Sequence, residues 1–164
     1  MNLSKNFTLT EFTKSQTAIR NNIDNTPSEE HLEAAIALFK NVVQPVRDNF
    51  GPTSINSGYR GPKLNQAVGG VATSQHCLGE AVDIEVPGVS NYVVAKWIED
   101  NLDFDQLILE FAELGVPDAG WVHVSYKPTA EKTSSFFVNS VNRKQVLTAV
   151  KRDGKTVYKP GLIE

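Results

Sequence analysis

Cysteine is almost missing from this chain. One Cys among 164 residues excludes an internal disulfide framework and a zinc finger built on thiolates. Long apolar runs are missing as well, and none approaches the roughly 20 residues of a membrane-spanning helix. The opening ten residues (MNLSKNFTLT) carry one lysine and no apolar stretch, so no secretory signal is expected. Charge of one sign is not in excess: 16 Lys and Arg against 19 Asp and Glu leave a net −3. That balance argues against a nucleic-acid protein acting through a broad basic face. No internal repeat and no Gly-, Ser- or Pro-rich linker divides the chain. What is present is ordinary globular composition, 40% hydrophobic and 21% charged. We read residues 1–164 as one domain and expect a monomer. At this length folding buries roughly 70% of the chain's surface.

Residues 1–25 are polar, with scattered apolar anchors at Phe7, Leu9, Phe12 and Ile19, and read as an irregular N-terminal arm. Thr26, Pro27 and Glu29 read as N-cap, first helical position and capping box. Leu32, Ile36, Phe39, Val43 and Val46 then form one apolar helical stripe, which Pro45 is expected to kink or end. Residues 53–57 suggest a short strand and 62–68 a short helix. Residues 81–86 (AVDIEV) alternate, with Asp83 and Glu85 on one face and Val82 and Ile84 on the other. Ser90 can cap a second long helix carrying Val94, Trp97, Ile98 and Leu102. Residues 104–111 and 120–126 read as two strands, expected to pair antiparallel across a loop punctuated by Gly115, Pro117 and Gly120. Residues 127–164 form a C-terminal extension with a hairpin around Asp153-Gly154. This order predicts an α+β fold, an antiparallel sheet with flanking helices.

Histidine is scarce: His31, His76 and His123 are all there are. His76 and Asp83 stand seven apart in SQHCLGEAVD, and a turn at Gly79 would aim both at one point. Imidazole and carboxylate are both zinc ligands, and His123 in WVHVS is the obvious third. Two histidines, one carboxylate and one water make the open tetrahedral site of a hydrolytic zinc enzyme. Spacing alone fits equally a chance pair and a packed strand histidine.

The run Ser57-Gly58-Tyr59-Arg60, Asn65, Gly69-Gly70, Ser74-Gln75-His76, Gly79-Glu80-Ala81-Val82-Asp83 and Trp121-Val122-His123 resembles a known family. It is similar to the zinc D-alanyl-D-alanine carboxypeptidases and the L-alanyl-D-glutamate endopeptidases of phage endolysins, which share the hedgehog-domain fold. The resemblance implies zinc held by His76, Asp83 and His123. Several members carry a general-base Glu three residues before the last ligand, where this chain has Gly120. With the 104–126 hairpin centred on Val116-Pro117, Glu110 lies opposite His123 on the same face, together with Gln106, Ile108, Trp121 and Ser125. Glu110 is therefore the expected base, against the simpler reading of a solvated strand carboxylate; Glu113 and Asp118 are the alternatives.

Arg60 resembles the family arginine that binds substrate or the developing oxyanion, against a plain surface arginine. Ser74, Tyr59 and Trp121 are expected substrate contacts, although Ser74 can equally cap the turn holding His76. Asn65 and Gly69-Gly70 are read as shaping the loop, Cys77 as a small buried residue and His31 as solvated. The basic residues between Lys132 and Lys159 are either a solvated face or a patch for an anionic wall.

The resemblance implies a Zn2+-dependent peptidase of peptidoglycan stem peptides, of carboxypeptidase or endolysin type and phage-encoded. It would be made in the host cytoplasm and act at the bacterial cell wall after holin release or from the virion. The rival expectation is a non-catalytic zinc-containing binding or virion structural module of the same fold. A carboxylate beside the metal position separates the two.

Overall fold

A computed structural model describes residues 1–113, 115–116, 118–128 and 141–163. The expected turn residue Pro117 and Lys132 of the basic stretch lie outside these residues.

The N-terminal segment is more regular than its polarity suggests. Thr8 and Glu11 form a capping box that opens α1 (Leu9–Thr13), and the Ser15 side chain caps α2 (Gln16–Arg20). Phe7 and Phe12 enter the core, with Leu9 packed against it, whereas the expected anchor Ile19 is 69% exposed. Helix α3 (Glu29–Leu38) starts two residues later than the Thr26 reading. Asp24 accepts from both the hydroxyl and the N–H of Thr26, and Ser28 instead takes the N–H of His31 as the cap.

Pro45 does not end this helix. A π turn over Phe39–Val43 runs straight into α4 (Gln44–Phe50), with the Gln44 N–H reaching back to the Phe39 carbonyl. Proline lacks an N–H and its ring crowds the carbonyl four residues back. The wider turn relieves both problems and places Pro45 in the first turn of α4, where no N–H is needed. Leu38, Phe39, Val42, Val43 and Val46 are fully buried along this stretch.

Six strands follow among the described residues: β1 (Ser54–Ser57), β2 (Ala81–Glu85), β3 (Gln106–Glu110), β4 (Trp121–Ser125), β5 (Gln145–Arg152) and β6 (Lys155–Pro160). Helix α5 (Pro62–Ala67) follows β1, and α6 (Asn91–Asn101), capped by Ser90 as expected, follows β2. The sheet order is β1-β2-β4-β3-β5-β6. Its pairs are antiparallel except one: β5 runs parallel to β3. The fold is thus α+β as expected, and the sheet is mixed rather than purely antiparallel. The chain returns from β4 to the far side of β3 before making its last hairpin, a crossover that local patterning does not encode.

Period-two alternation divides the central strands cleanly. Val82, Ile84, Leu107, Leu109, Val122 and Val124 join the buried core with Leu38, Phe39, Val42, Val94 and Ile98. Each fully buried side chain of this kind contributes roughly 1.5–3 kcal/mol. Asp83, Ile108, Glu110, Trp121 and His123 project from the opposite face into a cleft. Among the described residues no helix is long and apolar enough to cross a membrane.

Candidate metal centre

The cleft has a volume of about 600 Å³. His76 reaches it from a 3-10 helix, Gln75–Leu78, whose cap Ser74 accepts the His76 N–H at 3.3 Å. Gly79 ends that turn at φ 74 and lies against the His31 carbonyl, which a Cβ would strike. The tight reversal delivers the chain into β2, and Asp83 then lies directly across from His123 on β4.

One donor atom from each of His76, Asp83 and His123 lies within 4.8 Å of the others, so the three could hold a metal ion. The Asp83 Oδ1 is 3.4 Å from His76 Nε2 and 2.9 Å from His123 Nδ1. His76 Nδ1 lies 2.8 Å from the Gly58 carbonyl. An N–H donated there fixes the tautomer and leaves Nε2 as a lone pair facing the cleft. Burial works against the Asp83 charge, but the hydrogen bond from His123 and the adjacent His76 ring outweigh it and hold the carboxyl well below the usual range.

Glu110 shares this face but not the expected register. Ile108 stands opposite His123, and Glu110 opposite Trp121. The hairpin centre lies one residue earlier than Val116-Pro117, because Glu113 and Val116 bridge each other within the loop while Phe111 and Gly120 take positive φ. A slip of two residues preserves the face, so Glu110 becomes the diagonal neighbour of His123. Burial raises the Glu110 pKa first, and the Asp83 charge adds to it, while His123 and Arg60 pull it down. Glu113 and Asp118 are exposed and are not part of the cleft lining. Gly120 cannot carry a base: at φ +71, any Cβ would collide with the Glu110 carbonyl and the backbone of Phe111 and Ala112.

Arg60 and Trp121 both line the cleft. The Arg60 backbone N–H is anchored on the His76 carbonyl. The Nε of Arg60 and the Nε1 of Trp121 are buried donors with no partner among the described residues. An unpaired buried donor costs about 1–3 kcal/mol, which an arriving acceptor would recover. Ser74 caps the His76 turn, as one of its two readings expected, and it also lines the cleft.

Tyr59 is different. It does not line this cleft; it is 4% exposed, packs beside Phe12, and its hydroxyl lies 3.1 Å from His31 Nδ1. The expected substrate contact is therefore a core residue, and His31, expected in solvent, is its half-buried partner. Asn65 bonds the Val71 carbonyl and Cys77 is buried, both as read from the sequence.

Sequence reasoning missed Asp105, whose side chain is fully buried. It accepts from Arg143 Nη2 at 2.7 Å, Arg143 Nε at 3.0 Å and Gln75 Nε2 at 3.0 Å. Burial opposes its charge, yet these bonds hold its pKa at about 2. One carboxylate thereby ties the loop bearing His76 to the segment entering β5. No motif announces it, since its partners are 30 and 38 residues away. Lys127, Arg143 and Tyr158 also line the cleft, and all three belong to the C-terminal extension.

The comparison with curated proteins finds no match. Residues 5–125, which include every residue of the His76–Asp83–His123 cluster, match the model of the Peptidase M15 family, and the chain belongs to that family.

Proposed function

We propose that this chain is a zinc metallopeptidase that hydrolyses peptide bonds in peptidoglycan stem peptides at the bacterial cell wall, of carboxypeptidase or endolysin type. The observation that carries the reading is the convergence of His76, Asp83 and His123 at one point of a cleft, in a chain of a peptidase family. The donor set fits zinc: two imidazoles and one carboxylate leave a fourth position open, as hydrolytic zinc sites require. The Gly58 carbonyl behind His76 is the outer partner such ligands use.

When bound there, zinc supplies Lewis acidity towards the scissile carbonyl and lowers the pKa of a water. Glu110 accepts the proton of the attacking water at its carboxylate and returns it to the leaving amine nitrogen. Its raised pKa suits both halves of that exchange, because a base must also become a competent acid. Arg60 turns a buried, unpaired N–H towards the oxygen on which negative charge develops. Trp121 offers its unpaired indole N–H to the peptide. Ser74 holds the His76 turn at the rim.

Glu110→Gln tests this reading. It preserves shape and removes the base, so zinc content stays at one per chain while hydrolysis of a synthetic stem pentapeptide falls by about a hundredfold or more. Zinc-loaded wild type that cleaves no stem peptide would favour a zinc-containing binding module instead.

A further inference from the structure

The family match ends at residue 125, yet the cleft does not end there. β5 continues the sheet beyond β3 with Glu110 paired to Ala149, and β6 continues it again with Ala149 paired to Tyr158. Directly paired residues share a face, so Trp121, Glu110, Ala149 and Tyr158 form one row across four strands. With strands about 4.8 Å apart, the Tyr158 and Glu110 backbones are separated by about 10 Å. The only side chain between them in that row is a methyl group, fully buried at Ala149. A large residue there would fence Tyr158 off; alanine lets the phenol lean towards Glu110.

Tyr158 lines the same cleft as Arg60, His76 and Glu110. It is 54% exposed, and its hydroxyl has no hydrogen-bond partner among the described residues. The Arg143–Asp105 ion pair holds the entry to this hairpin against β3, so the backbone position of Tyr158 is set by the sheet and by a buried carboxylate.

We propose that Tyr158 is a substrate-binding residue of the peptidase cleft, its hydroxyl donating a hydrogen bond to the peptide on the Glu110 side of the metal position. Arg60 then grips the substrate from one wall and the C-terminal hairpin from the other. Partial burial, and secondarily the Glu110 charge, push the phenol pKa up, so the group stays a neutral O–H donor throughout the working range. The inference rests on the peptidase reading of the cleft but assigns a part to residues outside the matched span.

The test compares wild type with Tyr158→Phe on the synthetic pentapeptide L-Ala-γ-D-Glu-L-Lys-D-Ala-D-Ala. Equilibrium binding of the same peptide is measured in Glu110→Gln and Glu110→Gln/Tyr158→Phe, where turnover is slowed by about a hundredfold or more. Loss of one hydroxyl bond to substrate should lower kcat/KM and weaken binding by about tenfold, with zinc content unchanged. Equal binding with kcat/KM within twofold overturns the assignment. If wild type does not cleave the peptide but the second pair still differs tenfold in binding, the assignment stands and the peptidase reading falls. If nothing binds or cleaves, both fall.

Discussion

Replacing Gly120 by alanine probes both the hairpin and the base it positions. Gly120 sits at φ +71, and a Cβ there would meet the Glu110 carbonyl, the Phe111 carbonyl carbon and the Ala112 nitrogen. Left-handed backbone costs a residue with a Cβ about 1–2 kcal/mol. Relieving a clash with backbone, which cannot swing aside like a side-chain tip, adds about 1–3 kcal/mol. Gly115 is the internal control: it lies at φ +80 with nothing among the described residues within 4 Å of its Cβ position, so Gly115→Ala carries only the conformational term. Gly120→Ala should therefore destabilise by about 2–5 kcal/mol and Gly115→Ala by about 1–2 kcal/mol. Denaturant unfolding reads the difference, and thermal melting should follow at about 2–4 °C per kcal/mol. Because the displaced atoms belong to Glu110 and its successors, Gly120→Ala should also lose hydrolysis under conditions where it remains folded and zinc-loaded. Equal destabilisation by the two substitutions would refute the close approach, and with it the reason for glycine at this position.

Two further outcomes follow from the same geometry. Arg60→Ala should keep zinc stoichiometry and lower turnover of the stem pentapeptide by about a hundredfold, the usual worth of one oxyanion donor; an unchanged rate would make Arg60 a surface residue. Asp105→Asn should destabilise at pH 7 by up to about 2 kcal/mol, from a carboxyl pKa near 2 against about 3.9 when unfolded, trimmed because Arg143 is half exposed. A folded-state pKa below the unfolded one gives stability that is full above about pH 4 and disappears as pH falls through about 2. The gap between wild type and variant in urea melts should close over that window, and a pH-independent gap would contradict it.

Much of this molecule was legible in local pattern. Alternation in AVDIEV placed Val82 and Ile84 in the core and Asp83 in the cleft. Ser90 capped α6. Asp153-Gly154, at φ 50 and 75, turned the last hairpin. The His–Gly–Asp loop and the strand histidine met because a single turn and one antiparallel register bring them together. What was not legible depends on distant partners. Thr26 reads as a cap, but its N–H and hydroxyl both turn back to donate to Asp24 and the helix begins at the Ser28 cap instead. Tyr59 reads as a rim residue until His31 and Phe12 are known to enclose it. The register of Glu110 depended on asymmetry within a ten-residue loop. The parallel pairing of β5 with β3, which brings Tyr158 beside the cleft, is a crossover choice that no local signal in residues 141–163 records.

The most direct test of the account is a zinc titration of metal-stripped protein, with hydrolysis of the stem pentapeptide as the readout. Metal-stripped protein should not cleave the peptide, activity should rise linearly with added zinc and saturate at one equivalent, and His76→Ala should not be restored. Cleavage by the stripped protein, or recovery in His76→Ala at the same single equivalent, would contradict the assignment of His76, Asp83 and His123 as the metal centre.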